Sequence, residues 1–235
     1  MLGDLLRVPV RRYLRRKGYD VVKGPNLHGF LAARQVDLVI DVGGNDGGYG
    51  SFLRRWGYGG EILSFEPTSR AFKRLSAKIA TDAAWNAVQL AAGDRPGSAV
   101  IKVSEDDRFS SFNDLTDAGR AFDPAAAVID QETVEVVTLD RYFADVAAAR
   151  PFLKIDTQGS ERLVLEGAKD LLKRCVGVQL ELPVQQLYDG VWSLQEALGY
   201  MESCGFMLAQ AIPTNPRHDD YTSVAELDCV FRPIG

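Results

Sequence analysis

Four carboxylates stand where short apolar segments end, a position from which they could bind a ligand or accept a proton. Each follows or closes a hydrophobic run of the kind that forms a buried parallel strand, and they are Asp41, Glu66, Asp156 and Glu181. Ligands of open α/β sheets bind beyond the carboxyl ends of the strands, so we expect these four residues to meet at one site. Each of them could also simply cap the helix that follows it.

A glycine-rich turn follows the first of these strands. The strand of residues 36–42 leads into Gly43, Gly44, Asn45 and Gly47, and a helix is predicted to begin near Gly48. The fingerprint G-x-G-x-x-G is absent, and Asp41, just before the turn, suits an amine better than a pyrophosphate. S-adenosylmethionine (SAM) carries such an amine, so the turn favours SAM, while a plain tight turn remains the alternative.

The next strand-end carboxylate has the spacing of a ribose-binding residue. Glu66 lies 23 residues after Gly43, and an acidic residue at about this distance binds the ribose hydroxyls in nucleotide-binding βαβ units. A carboxylate can accept hydrogen bonds from two neighbouring hydroxyls. Asp94, which follows Gly93, could accept from an adenine amino group or could be an ordinary turn residue.

Composition limits the classes of function. The chain has 235 residues, 46% of them hydrophobic, enough for one globular domain, and its net charge of −5 argues against general nucleic-acid binding. Three separated cysteines form neither a disulfide framework nor a zinc motif, and no apolar run is long enough to cross a bilayer. We therefore expect a cytoplasmic protein.

The first 23 residues differ from the rest because they carry a net charge of +5. Their apolar residues form a loose helical stripe interrupted by Pro9. Such a helix could associate weakly with an anionic membrane surface, or it could pack on the edge of the domain with a solvated basic face. We predict a basic helical segment over residues 1–30 and a catalytic domain over residues 31–235.

Several motifs together resemble the FkbM family of SAM-dependent methyltransferases. The motifs, in the family's order, are DVGGNDG at 41–47, FEP at 65–67, TLD at 138–140, LKIDTQGSE at 153–161 and LEGA at 165–168. The resemblance implies a class I methyltransferase fold, with a mostly parallel seven-stranded sheet flanked by helices. It also implies methyl transfer from SAM to a hydroxyl, commonly on a sugar or a polyketide-type product, with S-adenosylhomocysteine as the second product. Pro67 and Ser111 resemble cofactor-proximal positions of the family, and Gly44 stands where the family more often has alanine.

The expected function is O-methylation, with a hydroxyl of a glycan or a nucleotide sugar as the acceptor. One of three residues is expected to take the hydroxyl proton: Asp156, Glu181 or His218. In one alternative, which we do not favour, Asp156 and Glu181 hold Mg²⁺. In another, the chain binds a nucleotide without catalysis. DNA base methylation is disfavoured because Asp156 is followed by Thr-Gln-Gly rather than by the Pro-Pro-aromatic motif of such enzymes.

Overall fold

A computed structural model describes residues 7–17, 24–146, 150–214 and 223–235. The strands are β1 (Leu38–Val42), β2 (Glu61–Phe65), β3 (Trp85–Val88), β4 (Ala91–Ala92), β5 (Gly97–Ser104), β6 (Val128–Val137), β7 (Pro151–Ile155), β8 (Gly177–Pro183), β9 (Phe206–Thr214) and β10 (Glu226–Pro233). The α-helices are α1 (Arg7–Arg16), α2 (Leu27–Ala33), α3 (Gly48–Arg55), α4 (Ser69–Ile79), α5 (Asp117–Phe122), α6 (Leu139–Tyr142), α7 (Glu161–Glu166), α8 (Lys169–Leu172) and α9 (Leu194–Ser203).

The main sheet has seven strands in the order β3-β2-β1-β7-β8-β10-β9. Strand β10 is antiparallel to both of its neighbours, and the other pairings are parallel. The predicted mostly parallel seven-stranded sheet is therefore confirmed. Because β2, β1, β7 and β8 are adjacent and parallel, their carboxyl ends form one edge, as expected for the four strand-end carboxylates.

Helices cover both faces of this sheet. All five residues of β1 are buried, and its apolar residues are divided between the two hydrophobic clusters, with Ile40 in one and Val39 in the other. The first cluster lies under α7, α8 and α9, and the second lies under α2, α3 and α4. Burial on both faces explains why β1 and β7 read as continuous apolar runs rather than as alternating patterns.

A second sheet of three strands, in the order β4-β6-β5, is inserted between β3 and β7. The stretch of residues 86–92 is divided between the two sheets, because β3 pairs with β2 and β4 pairs with β6. The stretch 104–131 contains two 3₁₀ turns, helix α5 and the start of β6. The strands of the insert are specified by their pairing with one another rather than by a local alternation of apolar and polar residues.

The predicted boundary at residue 30 falls inside α2. Leu27 and Leu31 of this helix are buried in the second cluster, so the packed domain already includes Leu27. Helix α1 does form, with Pro9 in its first turn, where proline's missing N–H has no helical partner to lose. Tyr13 of α1 is 61% exposed. Within the described ranges, every helix is too short or too polar to span a lipid bilayer.

Candidate active site

A cavity of about 370 Å³ opens at the carboxyl ends of β1, β2, β7 and β8. This volume is within the range of small-molecule sites. The walls include seven of the predicted site residues: Gly43, Gly44, Asn45, Glu66, Pro67, Asp156 and Glu181. Five others lie off these walls: Asp41, Gly47, Gly93, Asp94 and Ser111. His218 lies outside the described residues.

The turn after β1 has its shape because glycine is required at Gly43 and fits closely at Gly44. Gly43 has φ +80°, and a Cβ there would lie 1.8 Å from the backbone oxygen of Asp156. A Cβ on Gly44 would lie 2.9 Å from Cβ of Ser64, so an alanine here needs Ser64 to move. The N–H groups of both glycines donate to the carbonyl of Phe65, at 3.0 and 2.9 Å. The turn is thereby fixed against β2 and β7, and it forms one wall of the cavity.

Gly47 shapes this turn without reaching the cavity. It is the N-cap of α3 with φ +81°, and a Cβ there would lie 2.9 Å from Cδ1 of Leu75. The structure gives Gly47 a backbone role at the start of α3, and its contact with the cofactor stays a prediction. Gly93 and Asp94 also lie away from the cavity, because Gly93 pairs with Val137 and Asp94 is exposed. Ala91 and Ala92 stand on the wall instead.

Glu66 is buried at the end of β2 and is partly satisfied by its own loop. Its Oε1 accepts from the N–H and the hydroxyl of Thr68, at 2.9 and 2.6 Å, and its Oε2 accepts from Asn45 N at 2.9 Å. Burial raises the pKa of Glu66, while the hydrogen bonds from Thr68 and Asn45 oppose the rise. Because a carboxylate oxygen can accept about two hydrogen bonds, Oε2 still has room for one from a ligand hydroxyl.

Asp41 faces Lys154 rather than the cavity. Nζ of Lys154 lies 3.0 Å from Asp41 Oδ1 and 3.5 Å from Asp156 Oδ2, and it donates to the carbonyl of Gly43 at 3.0 Å. Burial lowers the pKa of Lys154, but Asp41 and Asp156 outweigh burial and leave it above its ordinary value. The carboxylate of Asp41 is thus paired with Lys154 and fully buried, and its direct contact with the amine of SAM stays a prediction.

Asp156 and Glu181 share one amide. The side-chain Nε2 of Gln158 donates to Asp156 Oδ1 at 2.9 Å and to Glu181 Oε2 at 2.8 Å. Burial raises the pKa of Asp156, but Lys154 and Gln158 outweigh burial and leave it lowered. Burial and the neighbouring Asp156 raise the pKa of Glu181 well above its ordinary value. The two carboxyls therefore differ in acidity on one cavity wall, an arrangement that suits acid–base work.

Ser111 holds Gln158 instead of lining the cavity. Its hydroxyl donates to the backbone oxygen of Gln158 at 2.6 Å, and the hydroxyl of Tyr188 donates to Gln158 Oε1 at 2.9 Å. The buried Glu161 accepts from Thr157 N at 2.9 Å and from Gly159 N at 3.0 Å. The motif LKIDTQGSE at 153–161 thus forms the turn that carries Gln158.

The segment that follows β5 in the insert supplies the remaining wall. Asp107, Arg108, Phe109, Ser110 and Phe112 line it. Asp107 is buried and forms ion pairs with Arg70 and Arg74 of α4, which fix this segment over the cavity.

Sequence reasoning missed Lys154, Gln158 and Tyr188. A lysine inside the apolar run of β7 was a usable signal, because a buried charge requires a partner. No local pattern marks Gln158 or Tyr188, whose contacts connect separate loops. In the described part of the chain, no group of three or more His, Cys, Asp or Glu side chains is arranged to hold a metal ion.

Comparison with known proteins gives a family match across the site. The family described as "Methyltransferase FkbM domain" matches residues 41–208, which is well over half of the chain and includes every strand-end carboxylate. No curated protein matches the sequence.

Solved structures with similar coordinates are distant in sequence. An rRNA methylase from Streptococcus thermophilus is 12% identical, with 92% of this chain and 99% of that chain covered and a TM-score of 0.49. Magnesium protoporphyrin IX methyltransferase (ChlM) from Synechocystis PCC 6803, solved with bound SAM, is 11% identical, with 95% of each chain covered and a TM-score of 0.47. With TM-scores below 0.5, neither carries an inference about substrate or mechanism.

Proposed function

Given that this chain belongs to the FkbM methyltransferase family, we propose that it methylates a hydroxyl group of a sugar, a glycan or a nucleotide sugar. The family membership makes the chain a SAM-dependent methyltransferase of the class I fold, with SAM as its cofactor and S-adenosylhomocysteine as the product left after transfer. The acceptor and the atom methylated are the proposal. The observation that carries it is the pair of unlike carboxyls, Asp156 and Glu181, on the wall of the cofactor cavity.

The residues of the cavity fit SAM. Glycine at positions 43 and 44 lets the backbone approach a ligand closely. Oε2 of Glu66 has room for a ribose hydroxyl, and Ala91, Ala92 and Phe65 offer apolar surface beside it. When bound, SAM supplies an electrophilic methyl group on a positively charged sulfur. The ammonium of Lys154 compensates the negative charge of Asp41 beneath the turn. The net charge around the cavity therefore depends on the carboxylates that line its walls.

The acceptor side is polar in a way that suits hydroxyls. Thr157, Gln158 and the two carboxyls line one wall, and each can donate to or accept from a hydroxyl. In the proposed step the acceptor oxygen forms a bond to the methyl carbon while the carbon–sulfur bond breaks and its electron pair stays on sulfur. The hydroxyl proton moves to a carboxylate of Asp156 or Glu181. A positioned base of this kind is worth roughly 10²–10⁴ in rate.

The raised pKa of Glu181 favours it as the base. A carboxylate with a higher pKa is a stronger base, and the best catalytic pKa lies near the working pH. Asp156, whose pKa is lowered, stays ionised beside Lys154 and can orient the hydroxyl. Among the described residues, no cluster of metal-ligating side chains supports the route through Mg²⁺. The role of His218 as the base stays a prediction.

The proposed partner is a small molecule or glycan rather than nucleic acid, since the net charge is −5. A cytoplasmic location is proposed on the three free cysteines: Cys175, Cys204 and Cys229. Weak association of the segment of residues 1–23 with an anionic membrane surface is a further proposal. It is supported by its +5 charge and by the exposed Arg12, Arg16 and Lys17 of the α1 region.

The test is a search for acceptors with isotope-labelled SAM. The protein is incubated with SAM carrying a deuterated methyl group and with panels of monosaccharides, nucleotide sugars and glycans, and products are read by mass spectrometry. We expect a labelled methyl ether on a sugar hydroxyl, lost in the double variant Asp156→Asn with Glu181→Gln. A labelled product methylated only at nitrogen or carbon contradicts the proposal.

A further inference from the structure

We propose that Gln158 is a positioning residue that holds the Asp156 and Glu181 carboxyls in one arrangement and stabilises their ionised forms. The inference deepens the proposed hydroxyl methylation and rests on it. Nε2 of Gln158 lies 2.9 Å from Asp156 Oδ1 and 2.8 Å from Glu181 Oε2, so each amide hydrogen has its own carboxyl. An acceptor hydroxyl entering the cavity then meets two carboxyls whose orientation is already set.

The orientation of the amide follows from its neighbours. With Nε2 toward the carboxyls, Oε1 accepts from the hydroxyl of Tyr188 at 2.9 Å, and every polar atom of the amide has a partner. The flipped amide would place its oxygen between two carboxyls and leave its donors without them. The buried Tyr188 ring thus fixes which end of Gln158 faces the acids.

The backbone of Gln158 is held in a conformation that glutamine rarely adopts. Its φ is +55°, and the next residue, Gly159, has φ +104°. Ser111 binds the Gln158 carbonyl, and Glu161 binds Gly159 N. A strained residue that persists under several such restraints is typical of a functional site. The restraints converge on Gln158 from the insert and from α7.

The charges around the pair explain why donors are needed. Lys154 is the cation closest to the pair in the part of the chain that the structure describes, and it lies against Asp156. The other titratable groups that face the two carboxyls, from the elements packed against them, are Glu161, Tyr188, Glu226 and Asp228, and Asp41 lies on the other side of Lys154. Ionised carboxyls in this setting repel one another, so two N–H donors between them favour ionisation. Removing the donors should shift ionisation of the pair to higher pH.

The test is a titration of side-chain carboxyl carbons by ¹³C NMR on the full-length protein, which needs no acceptor. The variants are Gln158→Met, which keeps the length and loses the amide, and Gln186→Met as a control at an exposed glutamine whose amide binds only the Val191 carbonyl. We expect the Asp156 and Glu181 carbons to titrate at higher pH in Gln158→Met than in the wild type, with no change in Gln186→Met. Unchanged titration in Gln158→Met overturns the inference.

A second variant covers the case in which Gln158→Met does not fold. Tyr188→Phe keeps the ring and removes the hydroxyl, which releases Oε1 of Gln158 and a longer contact with the Phe109 carbonyl at 3.2 Å. A smaller shift in the same direction is expected, because the amide donors remain. If this variant titrates like the wild type, the inference is overturned. Failure of the proposed function is a separate result, since Gln158→Met can still titrate at higher pH than the wild type even if the wild type methylates no hydroxyl.

Discussion

The ammonium of Lys154 lies 3.0 Å from Oδ1 of Asp41, in the interior of the sheet, where both side chains are almost fully buried. This pair links β7 to β1, and the same ammonium reaches Asp156 at 3.5 Å, on the cavity wall. Asp41, the carboxylate that precedes the glycine-rich turn, is thus connected to the cavity wall through Lys154.

We predict that Lys154→Met destabilises the fold by about 3–5 kcal/mol, because it leaves the buried Asp41 carboxylate unpaired. The measurement is the free energy of unfolding in urea. Lys173→Met, at an exposed lysine on α8's C-terminal side, is the matched control and should leave that free energy unchanged. A loss in Lys154→Met no larger than in this control would contradict the buried pair.

We predict that Glu66→Ala weakens binding of SAM and of S-adenosylhomocysteine by about 1–3 kcal/mol, through the lost hydrogen bond to the ribose. Calorimetric titration of both ligands measures the change. Glu61→Ala, at the exposed start of β2, serves as the control and should bind as the wild type does. Wild-type affinity in Glu66→Ala would remove Glu66 from the site.

The raised pKa of Glu181 has a consequence for stability. A carboxyl whose pKa is higher in the folded state than in the unfolded state favours folding below its unfolded pKa and loses that contribution as pH rises through its folded pKa. We therefore predict that Glu181→Gln becomes more stable relative to the wild type as pH rises from about 4 to about 8. Urea unfolding across this range measures the difference in the free energy of unfolding between variant and wild type. A difference that does not change with pH would show that folding leaves the pKa of Glu181 unchanged.

We predict that chelation leaves methyl transfer intact, since no suitable ligand cluster lies among the described residues. The measurement is turnover in EDTA, followed by turnover after Mg²⁺ is added back. Loss in EDTA with recovery in Mg²⁺ would instead support the metal-assisted route through Asp156 and Glu181. His218→Ala, assayed beside it, should keep its SAM affinity, and loss of turnover in this variant alone would move the base to His218.

We predict that the full-length protein binds anionic liposomes weakly, and that binding falls as salt rises because the attraction is screened. The double variant Arg12→Glu with Arg16→Glu should lose this binding. Arg55→Glu with Arg95→Glu makes the same change of charge at exposed positions elsewhere and should retain it. If the wild type ignores liposomes at low salt, the segment has no membrane role.

The sequence was sufficient to predict the strand-end carboxylates, because adjacent parallel strands place their ends at one edge. Glu66, Asp156 and Glu181 therefore reach the cavity as expected. It could not show that Asp41 turns inward, since its direction depends on Lys154, more than a hundred residues away. Nor could it show the hydrogen bond from Ser111 to the backbone of Gln158, because these two residues belong to separate loops.

The most direct test of the account is the position of the transferred methyl group. SAM with a ¹³C-labelled methyl group is supplied to the wild type together with the acceptor found by mass spectrometry, and the product is analysed by heteronuclear NMR. The account predicts that the labelled carbon is bonded to a sugar oxygen, and that the product disappears when Asp156→Asn and Glu181→Gln are combined. A labelled methyl on nitrogen or carbon, or full turnover in that double variant, would contradict it.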